Sequence, residues 1–255
     1  MFKHALVRTP GPNIAQGITT ANLGQPIYQE ALRQHAAYIA ALEACGVQVH
    51  VMEPAPDYPD ACFVEDTAVL AERVAIITNP GAPTRKGEQQ SVAEALCAFY
   101  PPDQIAGIHA PGTLEGGDVM RVGDHFYVGL SERTNAEGAA QFIALLNQYG
   151  YSGSMVEMSE MLHLKTGLSY LEGNRLLAAG EFLQHPVFAG FNRIPIDLQD
   201  AYSANCIYVN GTVLIPAGYP ATRAKIEAAG LPVIEVEVSE YRKLDGGLSC
   251  LSLRF

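Results

Sequence analysis

Four short segments hold side chains that could do chemistry together: Asp60-Ala61-Cys62-Phe63-Val64-Glu65-Asp66, Gly112-Thr113-Leu114-Glu115-Gly116-Gly117-Asp118, Leu162-His163-Leu164-Lys165-Thr166 and Asp245-Gly246-Gly247-Leu248-Ser249-Cys250. Asp60, Glu65 and Asp66 set three carboxylates among apolar neighbours, which is costly to bury unless a cation compensates them. A cationic ligand supplies that charge; a solvated turn explains the same residues without one. The two glycines after Glu115 let the backbone approach a ligand or another strand closely, and a bulge without function fits them equally well. His163, between two leucines, suits either a satisfied core histidine or a proton carrier. Cys250 follows a Gly-Gly turn, where a substrate can reach a thiol and a nearby cation would lower its pKa toward thiolate. Each segment alone is ambiguous; their joint occurrence carries the weight.

The elements that must position these segments come from a recurring unit, a short β-hairpin followed by a Thr-Arg or Thr-Asn step and a helix. Val69 to Thr78 leads through Thr84-Arg85 to a helix near Glu88 to Phe99, and Val119 to Val128 through Thr134-Asn135 to a helix from Ala136 to Tyr149. Cys206 to Pro216 leads through Thr222-Arg223 to a helix over Ala224 to Ala229. Asn210-Gly211, Gly123-Asp124 and Gly173-Asn174 supply the positive φ angles of tight hairpin turns. Leu168 to Gly180 reads as a degenerate copy whose helix is replaced by a proline-containing loop. Lys3 to Thr9, the helix Gln29 to Cys45 and the segment Cys250 to Phe255 make a fifth unit if the two ends of the sequence pair. No unit can bury its own apolar face, so several must pack around a common axis. The expectation is an α/β fold of five ββαβ-type units in a ring, forming one catalytic domain over 1–255. Strand ends near the axis then converge although they lie about 50 to 100 positions apart, as catalytic groups commonly do.

Composition narrows the function. The chain is 48% hydrophobic and 17% charged, with 24 Gly and 16 Pro, which describes a loop-rich globular protein. Its net charge of −11 opposes binding to nucleic acid or an anionic membrane and suits a cationic small molecule. The apolar run Ala5-Leu6-Val7 before Arg8 is too short for a signal peptide, and no stretch approaches a membrane span; a cytoplasmic location is expected. Five cysteines without a Cys-x-x-Cys pair indicate neither a disulfide framework nor a zinc cage. No metal or other cofactor is expected.

With these segments in order, the chain resembles the dimethylarginine dimethylaminohydrolases of the guanidine-modifying, arginine deiminase-like superfamily. Phe63-Val64-Glu65-Asp66, Glu115-Gly116-Gly117-Asp118, Leu162 to Gly167 and Ser249 to Phe255 carry the resemblance, which covers essentially the whole sequence. It implies a five-bladed α/β propeller around a pseudo-fivefold axis. It also implies hydrolysis of asymmetric dimethylarginine and monomethylarginine to citrulline plus dimethylamine or methylamine. Under it, Cys250 is the nucleophile, His163 the general acid and base, and Glu115 the carboxylate that orients His163. Asp66 and Glu65 hold the guanidinium, Arg85 and Arg133 the substrate α-carboxylate, and Asp60 its α-ammonium. Phe63 and Ser249 complete the substrate contacts. Ile18 and Leu244 contact the substrate from loops, and Gly11 to Gly24 forms a lid.

Two other readings remain. One is an arginine deiminase-type or other guanidine hydrolase; arginine deiminases share the Cys, His and Glu but usually continue from the histidine as His-Leu-Asp, where this chain has Lys165. A non-catalytic binding protein for guanidino amino acids would need the carboxylates and arginines and would not require Cys250 or His163. Small-molecule substrate is the partner expected, and a homodimer is the assembly that base frequency favours.

Overall fold

The computed structural model describes residues 1–255. Fifteen strands form five three-stranded sheets. The second sheet shows the rule: β3 (Ala68–Ala71) runs antiparallel to β4 (Val74–Ile77), α2 (Gln89–Leu96) crosses over, and β5 (Ile105–Gly107) returns parallel to β4. A two-residue turn suffices for the antiparallel pair, whereas the parallel partner needs a helical crossover. The third blade repeats this with β6 (Val119–Val122), β7 (His125–Leu130), α3 (Ala136–Gln148) and β8 (Ser152–Glu157). The fifth uses β12 (Ile207–Val209), β13 (Thr212–Pro216), α4 (Pro220–Ala228) and β14 (Val233–Val236). In the first blade, β1 (His4–Arg8) lies between β2 (Gln48–Met52), which it joins through α1 (Tyr28–Ala44), and the antiparallel β15 (Leu253–Arg254). The expected pairing of the two ends is present, with Ala5 opposite Arg254.

The fourth blade, β9 (Leu168–Tyr170), β10 (Arg175–Ala178) and β11 (Asn192–Pro195), has no α-helix; short 3-10 turns at Gly180–Leu183 and Pro186–Phe188 make the crossover. Its hairpin differs from the sequence expectation, because Glu172 joins Gly173 and Asn174 in the left-handed region, at φ 63°, 58° and 62°. At Gly123-Asp124 only the glycine takes positive φ. The helix α4 starts at Pro220, four residues before the expected Ala224. Proline at the first helical positions costs no hydrogen bond, and its fixed φ suits the helix start.

The core is divided among five clusters, each shared by two adjacent blades. Leu6, Leu253, Leu70 and Val92 join the first and second blades, and Ile76, Val119, Phe126 and Phe142 the second and third. Met120, Val156, Leu168 and Leu176 join the third to the fourth, and Leu177, Ile196, Val213 and Ile215 the fourth to the fifth. Val7, Tyr38, Val209 and Leu214 close the circle between fifth and first. A buried Leu, Ile or Phe contributes about 1.5–3 kcal/mol through burial, and here that contribution depends on the neighbouring blade.

Candidate active site

A 3-10 turn precedes the innermost strand of every blade: Val64–Thr67 before β3, Gly116–Asp118 before β6, Leu164–Thr166 before β9, Leu198–Ala204 before β12 and Ser249–Leu251 before β15. Ser249–Leu251 packs on Val64–Thr67, that turn on Gly116–Asp118, and the next pairs follow to Leu198–Ala204. All four chemistry-bearing segments of the sequence contribute to this collar.

The glycines after Glu115 are explained by the packing of turn on turn. A Cβ on Gly116 would strike the Glu65 carbonyl, and one on Gly117 would lie 2.9 Å from Asp66 Oδ1 and 3.0 Å from His163 Cγ. The close approach is to neighbouring turns of the chain itself. Gly117 N–H also donates to Asp66 Oδ1 at 2.9 Å.

His163 sits between two carboxylates of one turn. Its Nε2 is 3.4 Å from Glu115 Oε2 and its Nδ1 is 3.2 Å from Asp118 Oδ2. Burial alone would lower the imidazole pKa, but the charges of Asp118, Asp66 and Glu115 outweigh it and raise the pKa to about 9. The carboxylates divide in the opposite sense. Burial pushes Asp66 up, yet Arg85 holds it below the ordinary range. Glu115 is raised by burial and by the Asp66 charge. Glu115 Oε2 is a buried acceptor without a hydrogen-bond partner, whereas Oε1 accepts from Ala82 N–H at 3.2 Å and lies 3.6 Å from Arg133 Nη1.

The nucleophile candidate is held from several sides. Ser249 N–H donates to Asn205 Oδ1 at 2.9 Å, and Gly247 N–H points at Cys250 Sγ at 3.4 Å. The Tyr38 hydroxyl from α1 bonds both flanks of the turn, 3.0 Å from Leu248 O and 2.6 Å from Ser252 Oγ. Burial, with the negative charges of Glu65 and Asp66, pushes the Cys250 thiol up to about 12; Gly247 N–H and Lys165 pull the other way.

This chain is 54% identical to the N(G),N(G)-dimethylarginine dimethylaminohydrolase of Pseudomonas aeruginosa over the full length of both. The chain belongs to the dimethylarginine dimethylaminohydrolase family. A family model described as N,N dimethylarginine dimethylhydrolase, eukaryotic, matches residues 14–169. The Streptomyces coelicolor enzyme of the same name is 35% identical, with 99% of this chain and 96% of that protein covered. Two crystal structures match at TM-score 0.98 and 54% identity over both whole chains. One is a histidine-to-glycine variant of dimethylarginine dimethylaminohydrolase carrying an adduct with S-methyl-L-thiocitrulline. The other is a cysteine-to-serine variant from P. aeruginosa complexed with citrulline. The N-terminal domain of ArgZ, at 18% identity and TM-score 0.85, shares the fold. The five sheets are the five-bladed propeller of this family.

Within this dimethylarginine dimethylaminohydrolase fold the expected site residues lie in and around the collar. Cys250, His163, Glu115, Glu65, Asp66 and Ser249 lie in or beside the collar. Asp60, Ile18 and Leu244 meet beside it: Ile18 N–H donates to Asp60 Oδ1 at 3.0 Å, and a Cβ on Gly17 would touch both Asp60 Oδ1 and Leu244 Cδ1. The segment expected as a lid is held further by Thr19 Oγ1, which donates to Lys243 O at 2.8 Å, and Thr20 N–H, which donates to Asp245 Oδ2 at 2.5 Å. Phe63 packs its ring on Gly246 and Tyr241. Arg133 is partly exposed beside Glu115.

Two expected substrate contacts are already engaged within the protein. Glu65 Oε1 pairs with Lys165 Nζ at 2.5 Å and Arg254 Nη2 at 3.5 Å, while Oε2 accepts from Ser249 Oγ at 2.7 Å. Arg85 is buried between Asp66, at 2.5 Å, Glu88 and the Phe63 carbonyl. A cavity of about 190 Å³ lies beyond the Lys165–Glu65 pair; Ser249 and Arg254 line it, but Cys250, His163 and Glu115 do not. The chemistry, and not cavity size, therefore marks the site. Asp66, Glu115 and His163 come within 4.8 Å of one another, yet Arg85 and Arg133 already supply positive charge to these carboxylates. Asn205, Asp118, Ser131 and Arg254 had no role in the sequence reading. The repeat could have pointed to Asn205, which occupies the pre-strand position of its own blade.

Proposed function

We propose that this chain hydrolyses asymmetric dimethylarginine and monomethylarginine to citrulline and the corresponding methylated amine. The observation that carries the reading is the collar itself, where Asp66, Glu115 and Asp118 surround His163 while Glu65 and Asp66 bear on Cys250. Such a well attracts a planar guanidinium, which carboxylates recognise through paired charge-assisted hydrogen bonds. Glu115 Oε2 is the acceptor available to it.

Cys250 enters this scheme as a neutral thiol. The arriving cation favours loss of its proton to solvent, since an opposite charge nearby lowers a thiol pKa. The Sγ–C bond then forms at the central guanidinium carbon, and the C–N bond to the methylated nitrogen breaks as His163 gives that nitrogen a proton. His163, now neutral, takes a proton from water, whose oxygen attacks the same carbon. Collapse breaks the C–S bond and expels the Cys250 thiolate; the hydroxyl proton on the same carbon leaves as the ureido group of citrulline forms, the thiolate takes up one proton to restore the resting thiol, and His163 keeps the proton it took from water. The steps balance with Cys250, His163 and one water.

The Lys165–Glu65 pair supports methylated substrate over arginine. A lysine in that position cannot grip a guanidinium nitrogen, and it occupies Glu65 Oε1 as well. Arg133 is the arginine we assign to the α-carboxylate, because its side chain reaches the collar while remaining partly exposed. Asp60 is assigned to the α-ammonium, Phe63, Ile18 and Leu244 to contacts over the substrate, and Arg85 to support of Asp66. We read residues 1–255 as one catalytic unit, because each core cluster is shared between blades. No helix is long and apolar enough to cross a membrane; a cytoplasmic location and a homodimer complete the proposal, with cell fractionation and light scattering as their measurements. The deciding assay compares asymmetric dimethylarginine, monomethylarginine and arginine, scoring citrulline and released amine together. Citrulline with dimethylamine from the methylated substrate supports the reading, and citrulline with ammonia chiefly from arginine overturns the substrate assignment.

A further inference from the structure

Asp118 ends the same turn that begins with Glu115, and its side chain is fully buried. Three groups converge on it. Leu164 N–H donates to Oδ1 at 3.1 Å and Ser131 Oγ donates to Oδ2 at 2.7 Å; His163 Nδ1, a buried nitrogen with no other polar partner and no aligned hydrogen bond, stands 3.2 Å from the same Oδ2. The backbone bond from Leu164 fixes the carboxylate against the residue that follows His163, so ring and carboxylate belong to one rigid unit. Ser131 Oγ in turn accepts from Arg133 N–H at 3.1 Å and Thr134 N–H at 3.2 Å. One carboxylate thus joins the imidazole to the loop that carries Arg133.

We infer that Asp118 is the positioning residue of His163, holding its Nδ1–H so that Nε2 is the nitrogen that gives and takes protons, and tying that ring through Ser131 to the Arg133 loop. The inference rests on the proposed reaction for its kinetic consequence, but its structural content concerns the resting protein. A carboxylate on one imidazole nitrogen fixes the tautomer and leaves the other nitrogen free for chemistry. Nε2 then faces Glu115 Oε2 at 3.4 Å, the buried oxygen without a hydrogen bond, which the proposed reaction assigns to the guanidinium. Glu115 takes part at the working nitrogen and Asp118 behind the ring.

The charged groups around the ring come from two packed turns: Asp118 and Glu115 from Gly116–Asp118 and its preceding residue, and Asp66 from Val64–Thr67. Arg133 and Arg85 stand behind the carboxylates and oppose them. Of the groups that raise proton affinity, Asp118 contributes most. Its isosteric replacement by Asn removes charge while keeping size.

The test is nitrogen-15 NMR of the His163 side chain in the whole protein, with the signal assigned by its loss in His163→Ala. In the unaltered protein the neutral ring should carry its proton on Nδ1; a proton on Nε2 overturns the inference, and this measurement needs no Asp118 variant to fold. In Asp118→Asn the titration midpoint should fall by at least one pH unit, a tenfold loss of proton affinity. A midpoint that stays in place overturns it. Kinetically, Asp118→Asn should lower kcat about 100-fold, at the low end of what a positioned acid is worth, with the alkaline limb of the kcat profile moved to lower pH. Loss of kcat without movement of the limb marks a merely structural residue. Because the NMR midpoint is read without substrate, it separates failure of this inference from failure of the proposed reaction.

Discussion

Replacing Gly117 by Ala tests the collar where its geometry is tightest. Gly117 does not need a positive φ, so the substitution adds volume without backbone strain. The new Cβ would lie 2.9 Å from Asp66 Oδ1 and 3.0 and 3.1 Å from His163 Cγ and Cδ2. Ordinary contact begins near 3.4 Å, so the ring must retreat by about 0.4 Å while Asp66 yields at the same time. A misplacement of about 1 Å costs roughly 10² in rate, and about half that displacement should cost on the order of tenfold in kcat. Overpacking should cost ~1–3 kcal/mol of stability. The control is Gly123→Ala in the β6–β7 hairpin, where φ is 59° and nothing lies within 4 Å of the new Cβ. There the left-handed backbone should cost ~1–2 kcal/mol and leave kcat unchanged. Citrulline release from asymmetric dimethylarginine, with urea unfolding of all three proteins, reads both quantities. A Gly117→Ala protein that is folded and turns over at the unaltered rate would falsify the placement of His163 over Gly117; equal rate losses in both variants would show that activity merely follows stability.

Four other outcomes follow from the site and its buried neighbours. Cys250→Ser should abolish citrulline formation and retain substrate binding by calorimetry, whereas His163→Ala should lower kcat by roughly 10² to 10⁴; turnover surviving in the serine variant removes the covalent mechanism. With the Cys250 thiol pushed up to about 12, thiolate absorbance near 240 nm, taken as the difference from Cys250→Ser, should show no step below about pH 9, a little above an ordinary thiol, and a midpoint near neutrality would refute a thiol neutral at rest. Burial raises Glu88 to about 7 despite Arg85 beside it. The folded protein then keeps a proton that the unfolded chain has released above an ordinary carboxyl pKa of 4.5. Proton binding is greater in the native state across that window, so this group's contribution to stability falls as pH rises from about 4.5 through 7. Glu88→Gln should flatten the dependence of the urea midpoint over that range, and an unchanged slope would exclude Glu88 as its source.

The ring was legible because its grammar is local. Asn210-Gly211 and the apolar runs on either side announce a hairpin, and repeating that pattern leaves a packing problem that a closed circle solves. The fourth blade was legible only as a departure, since its crossover consists of turns with no helical period to detect. Among the site residues, Cys250, His163 and Glu115 stood out because their types are scarce in such contexts and their order matched a family. Partnerships were not legible. Nothing in the composition near position 65 tells that Glu65 meets Lys165, one hundred residues later, or that Arg85 is spent on Asp66 and Glu88. Such pairings are set by how five turns pack around an axis. Asp118 was visible as part of a motif and unreadable as a role, because its meaning depends on which ring nitrogen it faces.

The placement of Cys250 has a consequence for how activity is acquired. Its turn runs directly into β15, the strand that pairs with β1 and completes the first blade. Leu251 and Leu253 from the same few residues fill both clusters that flank that blade. The segment that carries the nucleophile is therefore also the fastener of the circle. His163, Glu115 and Asp118 meet at the boundary of the third and fourth blades, whereas the Cys250 turn packs at the boundary of the first and second. Pairing of β15 with β1 is therefore a condition for placing Cys250, and a substitution that loosens that pairing should reach the nucleophile before it reaches the other site residues.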